Sequence, residues 1–196
     1  MSRRRRTPHF RRNVRYVIII VLSVCLIYLL VARQMRFFVV PTRSMEPTLI
    51  PPEYLVTLQS EPYRRGDIVV IDDPTMPGEY LVKRLIGIGG DEVAVRGGGL
   101  FLNGSYASEP YLREEIDYTL DTYRVGEEEI FVLGDNRNES VDSHNWSVEE
   151  SAAPEVSGVP KESIVGRVYA VYLPFDRIRK VISYPLASAK RIRDGD

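Results

Sequence analysis

The chain has 196 residues, enough for one domain of ordinary size with a small lobe inserted, and its 44% hydrophobic and 27% charged content suits a folded protein. The formal net charge of −1 hides an asymmetry: Arg3, Arg4, Arg5, Arg6, Arg11, Arg12 and Arg15 fill the first fifteen residues without an acid, which leaves 19 of the 26 basic residues against 27 acidic ones, about −8, in the remainder. A nucleic-acid-binding domain is usually basic, so no nucleic acid is expected as a partner.

Residues 1–15 read as a basic cytoplasmic tail. The run YVIIIVLSVCLIYLLVA over 16–32 carries no charge. Seventeen residues at helical rise span about 25 Å, near the lower limit for crossing a bilayer, and Arg15 and Arg33 can snorkel to extend that reach. A buried core helix and a cleaved leader are the rival readings. The first is disfavoured because the run is apolar all round, the second because LLVARQM offers a poor small-x-small site. The expectation is one N-terminal transmembrane helix, an uncleaved anchor over 16–33. The positive-inside rule then puts the basic end in the cytoplasm and everything after residue 33 outside, at the cell membrane.

Beyond the anchor the signals are for strands. RFFVVP, YLVTLQ, DIVVID, EYLVKRLIGI, DEVAVRG, GLFLNG, EIFVLGD and SIVGRVYAVYLP are short, rich in β-branched or aromatic residues, and bounded by Gly, Pro, Asn or Asp. Gly97–Gly99 and Asn103–Gly104 bracket LFL and predict a hairpin. The fold expected is mainly β, an antiparallel β sandwich or open barrel over 34–182, with about 94–130 as a small inserted lobe. The acidic stretch 105–129 reads as an excursion and SVEESAAPEVSG, 147–158, as an exposed loop. Residues 183–196 read as a C-terminal tail.

Chemistry is constrained by what is scarce. Cys25 is the only cysteine and lies in the apolar run, so no intrachain disulfide can form. His9 and His144 are the only histidines, and no spacing suggests a metal site; no metal or cofactor is expected. Asp72 and Asp73 read as a turn before Pro74. GIGGDEV joins two strands and reads as a β-turn, not a phosphate cradle. What stands out is PTRSMEPTL, 41–49, where Ser44 sits between Pro41 and Pro47 on a segment the prolines hold extended or turned.

A serine hydroxyl needs a base to act as a nucleophile. His144 with nearby Asp142 would make a Ser–His–Asp arrangement. Lys83 in YLVKRLIG would make a Ser–Lys dyad. A strand lysine is ordinarily just solvated, but alternation puts Lys83 on one face with Leu81 and Leu85, and Arg84 on the other with Val82 and Ile86. An amine among apolar side chains is desolvated, which lowers its pKa toward the range a general base needs.

Four stretches resemble, in order and spacing, the conserved boxes of the type I signal peptidases, the Ser–Lys leader peptidases: PTRSMEPTL (41–49), RGDIVV (65–70), YLVKRLIGIGGDEV (80–93) and LGDNRNESVDSHNW (133–146). The N-terminal anchor and LNGSYASEPYL are similar too, and the likeness spans roughly residues 14–180. The resemblance implies Ser44 as nucleophile and Lys83 as base. It implies Thr42, where the family usually has serine, as a hydroxyl of the oxyanion hole, and Ser140 as the group that aims Lys83. Arg84, Asp135, Arg137 and Asp142 would be structural supports, with Asp135 paired to Arg84. Phe38, Val40, Met45, Pro47, Leu49, Leu81 and Val82 would shape the substrate site. The implied partners are signal peptides of exported preproteins, the lipid bilayer and the protein-export machinery.

The sequence departs from the family in two places. His144 stands where the family usually has arginine, and its Trp-Gly-x-Val-Pro run is split, with eleven residues between Trp146 and Gly158. Two other readings stay open: a Ser–Lys autoprotease of the same fold, and a non-catalytic anchored β domain that binds extended peptides.

Overall fold

The computed structural model describes residues 8–59, 61–146 and 155–186, and within its helix the side chains of 13–26, 33 and 34. The arginines at 3–6, residues 147–154 of the expected loop and 187–196 of the expected tail lie outside the described residues. The chain divides into two compact units, residues 1–35 and 36–196.

The described part of the first unit is a helix, α1 (Pro8–Gln34), followed by Met35, where β1 begins. Ile18, Ile19, Ile20 and Leu22 on it are exposed. Among the described residues no helix is long and apolar enough to cross a membrane; side chains 27–32 of the apolar run are outside that set.

The second unit is mainly β and antiparallel. Its strands are β1 (Met35–Val40), β2 (Glu53–Leu58), β3 (Ile68–Asp72), β4 (Tyr80–Ile88), β5 (Glu92–Arg96), β6 (Gly99–Leu102), β7 (Ser105–Tyr106), β8 (Leu120–Arg124), β9 (Glu129–Leu133), β10 (Val159–Pro160), β11 (Ile164–Leu173) and β12 (Arg179–Lys180). An eight-stranded sheet runs β1-β2-β11-β3-β4-β9-β10, with β12 also paired to β11. A four-stranded sheet runs β7-β6-β5-β8. All eight segments expected as strands form strands.

Burial on both faces explains the apolar run of β3. Ile68 and Val70 enter one core with Met45, Leu49, Leu55 and Val171; Val69 and Ile71 enter another with Leu85, Val132 and Trp146. A strand covered on both faces needs no polar alternation. A third core joins the two sheets, with Ile86, Phe131 and Leu133 of β4 and β9 against Val93, Val95, Leu100 and Leu102 of β5 and β6. The small sheet therefore shares its core with the large one.

Three stretches are more ordered than their composition predicts. The 105–129 stretch contains β7 and β8, and its few apolar residues, among them Ala107, Ile116, Leu120 and Val125, fill the third core. Residues 155–158, expected in the exposed loop, are tied back: Ser157 N–H donates to the Ser143 carbonyl at 3.0 Å, the Trp146 indole to the Ser157 carbonyl at 3.1 Å, and Gly158 N–H to the Tyr123 hydroxyl at 2.9 Å. Residues 183–186, expected at the start of the tail, are docked as well. Ser183 donates to Asp67, and Leu186 is buried in the third core.

Candidate active site

Ser44 sits on a tight turn. Glu46 N–H donates to the Arg43 carbonyl at 3.0 Å and Leu49 N–H to the Met45 carbonyl at 2.9 Å. Met45 and Leu49 are fully buried, so they nail the turn to the core and leave half-buried Ser44 at its rim. Thr42 Oγ1 lies 3.3 Å from Ser44 Oγ, a long contact for two hydroxyls.

The segment after β9 grips this turn from the other side. Asn136 N–H donates to the Ser44 carbonyl at 3.0 Å, and Asn136 Nδ2 to the Arg43 carbonyl at 3.3 Å. The same segment carries Ser140, whose Oγ accepts from Lys83 Nζ at 2.8 Å. Lys83 is only 2% exposed. Its backbone faces Val69 across β3 and β4, on the face shared with Leu81 and Leu85. Burial pushes its pKa below the ordinary lysine value, and the carboxylates of Asp142, Asp73 and Asp135 partly offset that shift.

Arg84 projects from the opposite face and is fully buried. Its Nε and Nη2 donate to the two oxygens of Asp135 at 2.7 and 2.6 Å, and Nη1 donates to the Gly66 carbonyl at 2.8 Å. Its guanidinium carbon lies 3.7 Å from the centre of the Tyr111 ring. Asp135 also accepts from the Thr48 hydroxyl of the Ser44 turn. Arg137 donates to the Gly134 carbonyl at 3.0 Å and makes a two-point ion pair with Glu109.

Asp142 is fully buried. One of its oxygens accepts from Gly134 N–H at 2.8 Å, and the other lies 2.6 Å from His144 Nδ1. The imidazole stacks on Tyr118, with centroids 4.0 Å apart and planes 3° from parallel. His144 is thus engaged by Asp142 and Tyr118, and no hydrogen bond joins it to Ser44 among the described residues. Lys83, whose amine is bound to Ser140, likewise makes no hydrogen bond to Ser44 among the described residues.

The residues expected to shape a substrate site divide in two. Val40, Met45 and Leu49 are enclosed in the core, so they form a floor and not an exposed wall. Phe38, Leu81 and Val82 are partly exposed, and Pro47 is exposed on the turn. Phe38 packs edge-on against Tyr80 at 5.2 Å.

Thr48, Glu109, Tyr111 and Asn136 were not singled out from the sequence. All four lie inside the motifs named above without a role there, because Thr48 meets Asp135, Tyr111 meets Arg84 and Glu109 meets Arg137 only through the fold. Gly134 was quoted without a role. A side chain there would collide with Ser140 Oγ and the Ser44 carbonyl oxygen. Gly134→Ala is therefore expected to separate those groups and to lower kcat/KM by on the order of 10²-fold, measured by peptide cleavage beside thermal unfolding. Retention of wild-type kcat/KM would contradict this close approach.

Among the described residues no cluster of three or more His, Cys, Asp or Glu could hold a metal ion.

The sequence profile of the family described as "Signal peptidase, peptidase S26" matches residues 13–173. Signal peptidase I of Bacillus licheniformis is 35% identical, over 82% of this chain and 89% of that protein. Signal peptidase I P of Bacillus subtilis subsp. natto is 34% identical, over 80% and 88%. Signal peptidase I of Leptolyngbya laminosa is 34% identical, over 71% and 69%. With the profile spanning most of the chain and such relatives aligned along most of their own length, the chain belongs to the signal peptidase family, peptidase S26.

Proposed function

We propose that the chain is a membrane-anchored serine endopeptidase that removes signal peptides from exported preproteins, with Ser44 as nucleophile and Lys83 as general base. The observation that carries this reading is the burial of Lys83. Lys83 is 2% exposed, and its amine is bound to Ser140, on the same segment as Asn136, whose N–H holds the Ser44 carbonyl.

A neutral amine takes the Ser44 hydroxyl proton as Oγ attacks the scissile carbonyl carbon. Ser44 Oγ lies 3.3 Å from the Thr42 hydroxyl. Negative charge develops on the carbonyl oxygen, where the Thr42 hydroxyl and the Ser44 N–H supply donors. One such donor is typically worth about 2.7–4 kcal/mol. The intermediate collapses as the Lys83 ammonium returns its proton to the departing amine. Water, giving a proton to the same amine, then attacks the acyl carbon, and the ammonium returns that proton to Ser44 Oγ as the acyl group leaves as a carboxylic acid. Ser140 aims Lys83. Arg84, Asp135, Arg137 and Asp142 hold the surrounding backbone.

The leader binds as an added strand. β1 is an outer edge of the large sheet. On β4, pairing to β9 begins only at Arg84, so among the described strands residues 80–83 pair with β3 alone, which leaves their other edge beside Lys83 for an added strand. Phe38, Leu81 and Val82 form apolar walls over the floor of Val40, Met45 and Leu49, with Pro47 beside the nucleophile. Walls of this kind suit small residues at −1 and −3. The anchor rests on the uncharged run 16–32 behind its arginines, which puts the β unit outside the cytoplasm, near the bilayer and the export machinery.

The test is cleavage of a labelled preprotein by the detergent-solubilised full chain, with and without a chelator. Wild type should release the leader in both conditions, and Ser44→Ala should release none. Equal cleavage by Ser44→Ala would reject the assignment.

A further inference from the structure

The turn that carries Ser44 re-enters the sheet through Thr48 and Ile50 before β2 starts at Glu53. Glu53 buries its carboxylate at that re-entry point, with its side chain 1% exposed. One oxygen accepts from Arg179 Nη1 at 2.7 Å, the other from Nη2 at 2.8 Å. The second oxygen also accepts the Ile50 N–H at 3.2 Å. Arg179 Nη2 donates in addition to the Thr48 carbonyl at 2.7 Å. One guanidinium from β12, 126 positions further along the chain, thus ties together both ends of the 48–53 connection.

We propose that Arg179 and Glu53 are positioning residues for Ser44, an inference that rests on the Ser–Lys reading above. Thr48 is the shared point. Its carbonyl is held by Arg179, and its hydroxyl is held by Asp135, next to the Asn136 N–H that holds the Ser44 carbonyl. The 41–52 segment carries Pro41, Pro47, Pro51 and Pro52, whose fixed φ leaves it few ways to absorb a displacement. A shift at Thr48 therefore moves Ser44 as well. The walls expected to bind the leader, Phe38 and Val82, belong to β1 and β4 and are not in the clasp. Met45, Pro47 and Leu49 travel with the segment, so loosening the clasp should misplace the hydroxyl and cost kcat more than it costs substrate affinity.

A planar two-point donor is needed for this geometry. Lysine offers a point charge that can reach Glu53 or the Thr48 carbonyl but does not reproduce the fork.

The experiment measures kcat and KM for preprotein cleavage by the full chain in wild type, Arg179→Gln, Arg179→Lys, Glu53→Gln and the Arg179→Gln/Glu53→Gln double variant. Each rate is normalised to the folded fraction from thermal unfolding. Expected are kcat losses on the order of 10–100-fold for each glutamine variant, a smaller change in KM than in kcat, partial recovery in Arg179→Lys, and a double variant no worse than the poorer single one. Wild-type kcat per folded molecule in the glutamine variants would overturn the proposal, as would losses that appear only in KM or that multiply in the double variant. Ser44→Ala, run alongside, separates the two failures. If it still cleaves, the Ser–Lys reading is at fault; if it is dead while the clasp variants are normal, only the clasp inference falls.

Discussion

Lys83→Met is expected to reduce kcat by on the order of 10⁴–10⁶, the usual cost of removing the base from a serine hydrolase, while the β unit stays folded. Methionine is unbranched and of similar length, so it fills the space beside Leu81 and Leu85 without a charge to desolvate. The pH dependence distinguishes this from a packing defect. Burial lowers the Lys83 pKa, so the unfolded chain holds that proton more tightly than the folded one. The resulting destabilisation of wild type is fully present below the lowered folded value. It fades as pH rises and is gone above the ordinary lysine value of about 10.4. Removing the amine also costs Ser140 its partner, roughly 1–3 kcal/mol at any pH. The stability of Lys83→Met relative to wild type should therefore fall as pH rises from the lowered folded value of Lys83 to about 10.4, as read from urea midpoints. Wild-type kcat/KM should rise with pH with an apparent pKa below that of free lysine. A variant that cleaves at wild-type rate, or a pH-independent stability difference, would contradict the role given to this amine.

Arg84→Met carries the largest expected loss of stability. Arg84 and Asp135 both have fully buried side chains, and the guanidinium satisfies two carboxylate oxygens and the Gly66 carbonyl. Removing it leaves the Asp135 carboxylate buried without its counter-charge and with only the Thr48 hydroxyl as a donor, which costs about 3–5 kcal/mol. Asp135→Leu added to Arg84→Met should restore much of that loss, because an apolar pair of similar volume often replaces a buried ion pair at little cost. Urea denaturation of the three proteins checks both steps. A midpoint for Arg84→Met near wild type, or a double variant worse than the single one, would show that the pair is not what holds this junction between cores.

Both substitutions concern neighbours on β4, and that strand shows how much could be read before folding. Strict alternation was enough to send Lys83 and Arg84 to opposite faces and to place Lys83 among leucines. It could not say that both faces are buried. Arg84 is enclosed as completely as Leu85, because Asp135 and Tyr111 arrive from segments some fifty and twenty-seven positions away. His144 is a similar case. The sequence offered it as a triad member with Asp142 or as a stand-in for the arginine usual in the family, and only the stack on Tyr118 and the contact with Asp142 show how the ring is engaged.

Local chemistry determined the strands, the proline-bounded turn at Ser44 and the order of the four motifs. Each depends on side chains a few residues apart: branched and aromatic runs for the strands, fixed φ for the turn. Tertiary structure decided the rest. Acidic 105–129 became part of a core because its few apolar residues, Ile116 and Leu120 among them, found β5 and β6. Glu53 became a clasp because β12 brought Arg179 to it. Polar side chains show no periodicity that names their partners, and the burial that turns an ordinary amine or carboxylate into a poised one is a property of the assembled sheets.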